Sequence, residues 1–308
     1  MSSHHPVSRR PGPSELGGCL TDAAHWIWDR RRAAKAAGFP FSEETVTETV
    51  LLDLASALSH LVKIVPFNKH QEGKIGADWE WCFYDWPNQR FLRLMVQAKV
   101  LNDADEVYAH IDRYIGSSNV RQIDRLAETA SARGVPAIYV FYNHLSDRSR
   151  VPIDACSCFR CVQCWGATFA PLEAVAALLP DKTFTALRSV SLPWLCLTCS
   201  AFGGPAGGPS SGGGRKPDLI DTVVRGLERS EARCREQLRD RIEPTGRRRP
   251  IVSREAPDYL GQLLDGGDEE GGERLVEKLG SQNPGVDGVV LIPADLDMEE
   301  RWTGDDEP

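Results

Sequence analysis

The chain has 308 residues, of which 41% are hydrophobic and 26% are charged, proportions that fit a globular protein and exclude a fibrous or low-complexity chain. Its net charge of −8 shows no excess of the Lys and Arg that bind nucleic-acid phosphates non-specifically. No apolar run reaches the length of a membrane span and the N-terminus lacks the apolar core of a secretory signal, so we expect a cytoplasmic protein without a membrane partner.

Two helices are predicted at the start of the chain. Residues 1–20 are rich in Pro, Gly and Ser and indicate a loose lead-in, and residues 22–37 can form a short helix. Ser42 is then a suitable N-cap for a stronger helix over about residues 43–60, whose apolar side chains recur every three or four positions.

The next elements are predicted from alternation of apolar and polar residues. Residues 61–67, 77–85 and 91–101 are three predicted strands, followed by a helix over 119–133 and a strand over 136–143. Helix, strands, helix and strand in this order predict an α/β fold, in which helices flank a mixed central sheet.

The second half of the chain is predicted to be accessory to this core. A helix near 169–179 lies within a cysteine-rich segment, helices follow near 217–240, 255–264 and 271–279, and a terminal strand covers 286–292. The composition divides the chain into a lead-in and short helix (1–40), an α/β core (41–150), a Cys-rich segment packed on the core (151–202), a Gly-rich linker (203–216) and a C-terminal helical region with a terminal strand and an acidic tail (217–308).

One group of polar residues stands out within the predicted sheet. Asp78 and Glu80 share one face of the second predicted strand, and Gln97 and Lys99 share one face of the third, because strand side chains alternate between faces. If the two strands pair, these groups meet on one side of the sheet, with Glu48 above them on the packed helix. Carboxylates bind Mg²⁺, and a neighbouring lysine can offset charge that develops on a phosphate during hydrolysis.

The order of these motifs resembles that of a known superfamily. Glu48, then "GAD" at 76–78, then "QAK" at 97–99, then a helix and a strand, is similar to the PD-(D/E)XK, or restriction-endonuclease-like, superfamily. The chain is most similar to the branch that has Gln in place of the usual acid, as in Mrr-type endonucleases. Over about residues 42–145, "FNKHQEGKIGADWEW" and "VQAK" resemble a family of uncharacterised bacterial proteins assigned to that fold.

The resemblance implies a role for each matching residue. Asp78 and Glu48 would bind Mg²⁺ or Mn²⁺, with Asp78 as the principal ligand. Gln97 would occupy the second acidic position and Lys99 would be the catalytic lysine. Gln122, on the following helix, would approach the site.

Two residues depart from the superfamily pattern. Ala77 replaces the proline of the motif, which is a mild change, whereas Gln97 replaces a carboxylate and weakens metal binding unless Glu48 or Glu80 compensates. Glu80 and Glu44 are secondary candidates, and charges of this kind are more often solvated or paired than bound to metal.

Six of the nine cysteines lie close together in the segment that follows the core. Two C-x-x-C pairs, Cys161 with Cys164 and Cys196 with Cys199, have the spacing of a tetrahedral Cys₄ zinc site, and Cys158 is an alternate ligand. Four thiolates leave no open position, so such a zinc ion would be structural. Buried thiols around a helix are the alternative.

These patterns predict a metal-dependent nuclease-like protein that hydrolyses DNA phosphodiester bonds. Residues 1–150 hold 18 basic and 18 acidic residues, so the half that carries the site is neutral and DNA remains a suitable partner; a homodimer is also compatible with the sequence. The first alternative is an inactive nuclease-fold module that binds nucleic acid or a protein partner. The second is a zinc-stabilised interaction protein whose sheet resembles nucleases only in topology.

Overall fold

The computed structural model of the chain describes residues 15–59, 62–66, 77–115, 119–155, 160–199, 218–239, 251–264 and 288–294. Within these ranges the α-helices are α1 Glu15–Ala37, α2 Glu43–Ala57, α3 Gln122–Arg133, α4 Leu172–Leu178, α5 Phe184–Leu187, α6 Leu219–Gln237 and α7 Asp258–Leu264. The strands are β1 Lys63–Pro66, β2 Trp79–Asp85, β3 Arg90–Val100, β4 Ala137–Tyr142, β5 Ala167–Pro171, β6 Leu192–Pro193 and β7 Gly288–Pro293.

All seven strands join one mixed sheet, in the order β1-β7-β2-β3-β4-β5-β6. The β2–β3 hairpin is antiparallel, while β3 runs parallel to β4 and β2 runs parallel to β7. A parallel pair needs a crossover, and α3 provides it between β3 and β4. The predicted α/β fold, a mixed central sheet flanked by helices, is therefore confirmed.

Local sequence signals explain the boundaries of α2 and α3. Ser42 is the N-cap of α2, and its side chain accepts a hydrogen bond from the backbone N–H of Thr45 at 3.2 Å. Gly134 ends α3 in the left-handed conformation with φ of 64°, which Gly adopts without a side-chain clash. Both boundaries agree with the prediction from sequence.

Two predicted elements are corrected by the structure. The helix predicted over 22–37 begins at Glu15, because Leu16 and Leu20 extend its buried face into the supposed lead-in. The helix predicted near 169–179 is a strand, β5, up to Pro171 and helical only after it, since proline cannot donate a backbone hydrogen bond inside a helix. The predicted helix at 271–279, the Gly-rich linker and the acidic tail lie outside the described residues.

The C-terminal part of the chain contributes directly to the sheet. β7 lies between β1 and β2 and is buried along its length, so the sheet draws on residues far from the predicted core. Helix α6 is attached by ion pairs that Arg90 of β3 makes with Asp218, its N-cap, and with Asp221 in its first turn. Acidic residues at a helix N-terminus also interact favourably with the helix dipole.

Glu80 of β2 is held in a buried ion-pair network. Its carboxylate accepts two hydrogen bonds from Arg93, at 2.7 and 2.9 Å, and one from the Tyr259 hydroxyl of α7. Arg133 adds an ion-pair contact at 4.0 Å. Burial, and next the charge of Glu80, raise the pKa of Tyr259, so its hydroxyl remains the donor.

Replacing Glu80 with Ala should lower the free energy of unfolding by about 3–5 kcal/mol, because Arg93 would keep its charge without a carboxylate partner in a largely buried position. Denaturant unfolding measures this change. Glu231→Ala, which removes an exposed pair with Arg235 on α6, is the matched control and should cost less than about 1 kcal/mol. A loss for Glu80→Ala as small as that of the control would show that the network is not structural.

Candidate active site

The register of the β2–β3 hairpin brings Asp78 and Gln97 together. Trp79 lies opposite Val96, and the backbone N–H of Asp78 donates to the Val96 carbonyl at 2.8 Å. One residue further along, Asp78 therefore lies opposite Gln97 on the same face of the sheet. The predicted pairing of the two strands is present.

The Asp78 carboxylate is fixed by β3. Its Oδ2 accepts a hydrogen bond from the Gln97 side-chain amide at 2.7 Å and another from the backbone N–H of Ala98 at 2.7 Å. Hydrogen bonds to an ionised oxygen are strong and directional, so the carboxylate is held at one place beside the strand.

Lys99 forms the second half of the site. Its side chain is 3% exposed, and its Nζ lies 3.1 Å from Oε1 of Glu43. The other carboxylate oxygen of Glu43 accepts a hydrogen bond from the backbone N–H of Val100 at 3.3 Å. Glu43 thus links the first turn of α2 to β3, and α2 packs on this part of the sheet.

Glu43 is a site residue that the sequence analysis does not identify. The apolar arc of α2 and the family resemblance point to Glu48 as the helix-borne carboxylate. The two positions are five residues apart in sequence, which places them roughly 140° apart around the helix. Glu43 continues the buried stripe of Val46 and Val50 one turn towards the N-terminus, and that spacing is the signal that would have found it.

Gln122 also reaches the site, as the sequence predicts. It is the first residue of α3, and its side-chain amide donates to Oε1 of Gln97 at 2.8 Å. A chain of hydrogen bonds therefore runs from Gln122 through Gln97 to Asp78. The Oε1 atom of Gln122 is buried and has no hydrogen-bond partner among the described residues.

The pKa values of two tyrosines of β4 reflect the negative charge near them. Tyr139 lies beside Gln97 and Tyr142 beside Val100 in the parallel β3–β4 register. Burial raises the pKa of both phenols, and the charges of Asp78 and Glu43 raise it further. Both carboxylates therefore lie within electrostatic range of the same two phenols, and Lys99 is a buried cation beside Glu43.

The other predicted carboxylates have different surroundings. Glu44 and Glu48 are exposed on α2. Glu80 shares the face of Asp78 but is neutralised by Arg93 and its neighbours. The structure thus groups Asp78, Gln97, Lys99 and Gln122 with Glu43, and places Glu80 in the pairing role that the sequence analysis favoured for it.

The predicted zinc ligands are only partly brought together. The Sγ atoms of Cys161 and Cys164 lie within 4.8 Å of each other and of a ring nitrogen of His25, in the part of the chain that is described. Cys196 and Cys199 do not belong to this group, and Cys199 is disulfide-bonded. Cys158 lies outside the described residues. The structure therefore contains a His–Cys group that could hold a metal ion.

Comparison with known proteins places the chain in a family. The sequence model of a family of unknown function, DUF6615, matches residues 16–293. The chain belongs to DUF6615. A search of curated proteins finds no match to it.

The DUF6615 match extends from the first turn of α1 to the last residue of β7. It therefore includes every element that carries the site, and also α6 and β7, which the sequence analysis assigned to a separate C-terminal region. Among the residues described, no helix of this DUF6615 protein is both long enough and apolar enough to cross a membrane.

Glu43→Ala should lower the free energy of unfolding by about 2 kcal/mol, between the values typical of exposed and buried pairs, because Lys99 is buried while Glu43 is partly exposed. Glu44→Ala, one residue further on the same helical turn, is exposed and should change it by less than about 0.5 kcal/mol. Urea unfolding of both variants tests the ion pair; equal stabilities would contradict it.

Proposed function

We propose that this protein is a metal-dependent nuclease that hydrolyses DNA phosphodiester bonds, with the site arrangement of the PD-(D/E)XK superfamily. One observation carries the proposal: a fixed carboxylate, Asp78, and a buried lysine, Lys99, lie on one face at the same end of paired strands, and Glu43 adds a second carboxylate. Burying the charge of Lys99 is costly, which favours a functional reason for retaining it beside these carboxylates.

The donor set suits a hard cation. Asp78 and Glu43 offer carboxylate oxygens and Gln97 offers an amide oxygen, and Mg²⁺ and Mn²⁺ prefer such ligands. When bound, the ion would supply Lewis-acid polarisation of a phosphoryl oxygen and lower the pKa of a bound water. Asp78 would be the principal ligand, because β3 already fixes its position.

The residues of the chain have distinct tasks in the proposed hydrolysis. The reaction adds a water oxygen to phosphorus and breaks one P–O bond to sugar; the water releases a proton to solvent and the leaving oxygen takes one up. Lys99, with three N–H donors, would face the phosphate oxygens and offset their growing negative charge. Glu43 keeps the ammonium oriented until substrate binds, because its carboxylate is hydrogen-bonded to β3.

Gln97 must reorient to act as a ligand. Its N–H group faces Asp78 and its oxygen faces Gln122, so the atom now beside the carboxylate is a donor. Turning both amides would direct the Gln97 oxygen towards a cation and let its N–H group donate to the Gln122 oxygen. The Gln97–Gln122 hydrogen bond is preserved in this exchange, whereas the hydrogen bond from Gln97 to Asp78 is lost and would be replaced by contacts of both oxygens with the cation.

The same observation favours a second candidate, a nuclease-fold module that binds nucleic acid without cleaving it. A site with an amide donor facing Asp78 has one carboxylate fewer than the superfamily pattern and binds a cation more weakly. In that case Lys99 and the site would hold phosphate, and no product would form.

Cleavage of supercoiled and linear DNA with Mg²⁺ or Mn²⁺ distinguishes these functions. We expect Asp78→Asn, which keeps an acceptor for Gln97 and Ala98 but loses the charge, and Lys99→Gln to reduce the cleavage rate by about 100-fold or more. Gln97→Glu should tighten Mn²⁺ binding, measured by calorimetry, because it restores a carboxylate.

Glu44→Gln is the control, since this exposed carboxylate should not affect the rate. All variants must show the unfolding transition of a folded protein. DNA binding without cleavage by the wild type, with any metal, would replace the nuclease with the binding module. The absence of both binding and cleavage would contradict both proposals.

A further inference from the structure

A group of three metal-binding side chains lies apart from the residues of the candidate active site. The Nε2 atom of His25, on α1, is 3.2 Å from Sγ of Cys161 and 3.5 Å from Sγ of Cys164, and the two sulfurs are 2.9 Å apart. His25 and Cys161 are partly exposed, so an ion can reach them from solvent, whereas Cys164 is buried.

Close packing of α1 on the Cys-x-x-Cys turn creates this arrangement. A Cβ atom at Gly166 would lie 1.9 Å from the carbonyl oxygen of Ala24, so only glycine permits the helix to approach so closely. Ala24 precedes His25 directly, and Gly166 ends the short 3-10 helix Gln163–Gly166 that holds Cys164. The close packing of α1 on this turn therefore places the His25 imidazole beside the two sulfurs.

The turn also fixes the position of Cys161. The backbone N–H of Cys164 donates a hydrogen bond to the Cys161 sulfur at 3.2 Å, which is a local contact within the Cys-x-x-Cys turn. By contrast, burial raises the pKa of the Cys82 and Cys234 thiols to about 12, so neither readily forms the thiolate that binds metal.

We propose that His25, Cys161 and Cys164 bind one Zn²⁺ ion, and that this ion joins α1 to the segment following β4. Imidazole and thiolate are the donors that zinc prefers in proteins, and they are poor ligands for Mg²⁺. Around tetrahedral zinc, sulfur and nitrogen lie about 3.6 Å apart and two sulfurs about 3.8 Å apart. The His25 distances already approach this value, and only the sulfur pair must open, by rotation of a Cys side chain.

This ligand set differs from the four-cysteine site that the sequence predicts. His25 is remote in sequence from the cysteines and is placed beside them only by the packing of α1. The described residues supply three donors, and the fourth position belongs to a water or to one further ligand. The ion takes no part in the proposed hydrolysis, because its imidazole and thiolate donors are unsuited to the cation of that reaction.

Metal analysis of the full-length chain, purified under reducing conditions without added metal, tests the site. Native mass spectrometry should find about one zinc per chain. His25→Ala, Cys161→Ser and Cys164→Ser should each reduce zinc affinity beyond the roughly 10–100-fold lost with a supporting residue. His110→Ala, an exposed histidine, and Cys19→Ser, a cysteine on the same helix, should keep zinc unchanged.

Loss of zinc in a variant could also result from unfolding, so Co²⁺ binding to the wild type and to a conservative variant provides a second test. Co²⁺ in the wild type should show tetrahedral d–d bands and thiolate charge-transfer absorption. In His25→Cys, a folded metal-binding protein should remain, with charge-transfer intensity raised roughly one and a half times by a third thiolate.

Three results would overturn the proposal. A wild-type protein that contains no zinc and takes up neither Zn²⁺ nor Co²⁺ would remove the site. Unchanged zinc affinity in His25→Ala would remove histidine from the ligand set. A disulfide between Cys161 and Cys164 in the metal-free protein, persisting under reducing conditions, would replace the ion with a covalent bond.

Discussion

The antiparallel register of β2 and β3 is the constraint on which the candidate active site depends. A slip of one residue would move every side chain to the opposite face of the sheet. Trp79 and Trp81 oppose such a slip, because both are almost fully buried on the face opposite Asp78, and Trp81 stacks on Trp194 at 5.5 Å. Large aromatic side chains bury more apolar area than other residues, so the core side of the hairpin determines where the polar side lies.

Two partly buried ion pairs share that polar side, and the surroundings of each carboxylate indicate whether it stabilises the fold or is available for chemistry. The Glu80 carboxylate is surrounded by the donors of Arg93, Arg133 and Tyr259, which occupy its oxygens and leave little room for a cation. Glu43 is more exposed than Glu80, and its carboxylate contacts the Lys99 ammonium group and the backbone N–H of Val100. A carboxylate with remaining coordination capacity beside a buried lysine is the better candidate for chemistry, whereas a saturated carboxylate stabilises the fold.

The β2–β3 hairpin and the helices α2 and α3 could be predicted because their sequence signals are local. Ser42 and Gly134 mark helix boundaries through backbone chemistry that needs no tertiary context. Alternation around Asp78 and Gln97 indicated paired strands, and the pairing of polar residues on one face followed from it.

Tertiary placement explains what the sequence could not indicate. β7 is recognisable as a strand, but its position between β1 and β2 follows from packing partners far away in sequence. Glu43 is not recognisable from its apolar neighbours in sequence, because its role depends on the distance to Lys99, which only the packing of α2 on β3 determines. His25 has no ligand spacing in sequence, since its partners are reached only through the contact between Ala24 and Gly166.

Helix α1 links the proposed zinc ligands to the proposed magnesium ligands, and the two sets differ in chemical softness. His25 faces the thiols, and the next residue, Trp26, packs its ring against Phe41 at 5.9 Å. Phe41 directly precedes Ser42, the N-cap that begins α2, and Glu43 is the first residue of that helix. An ion bound by His25 would restrict α1 and, through this contact, the start of α2. The imidazole and thiolate ligands of zinc would then help to position Glu43 without contacting the magnesium ion. Because the two ions prefer different donors, they could be bound in one molecule without competing for ligands.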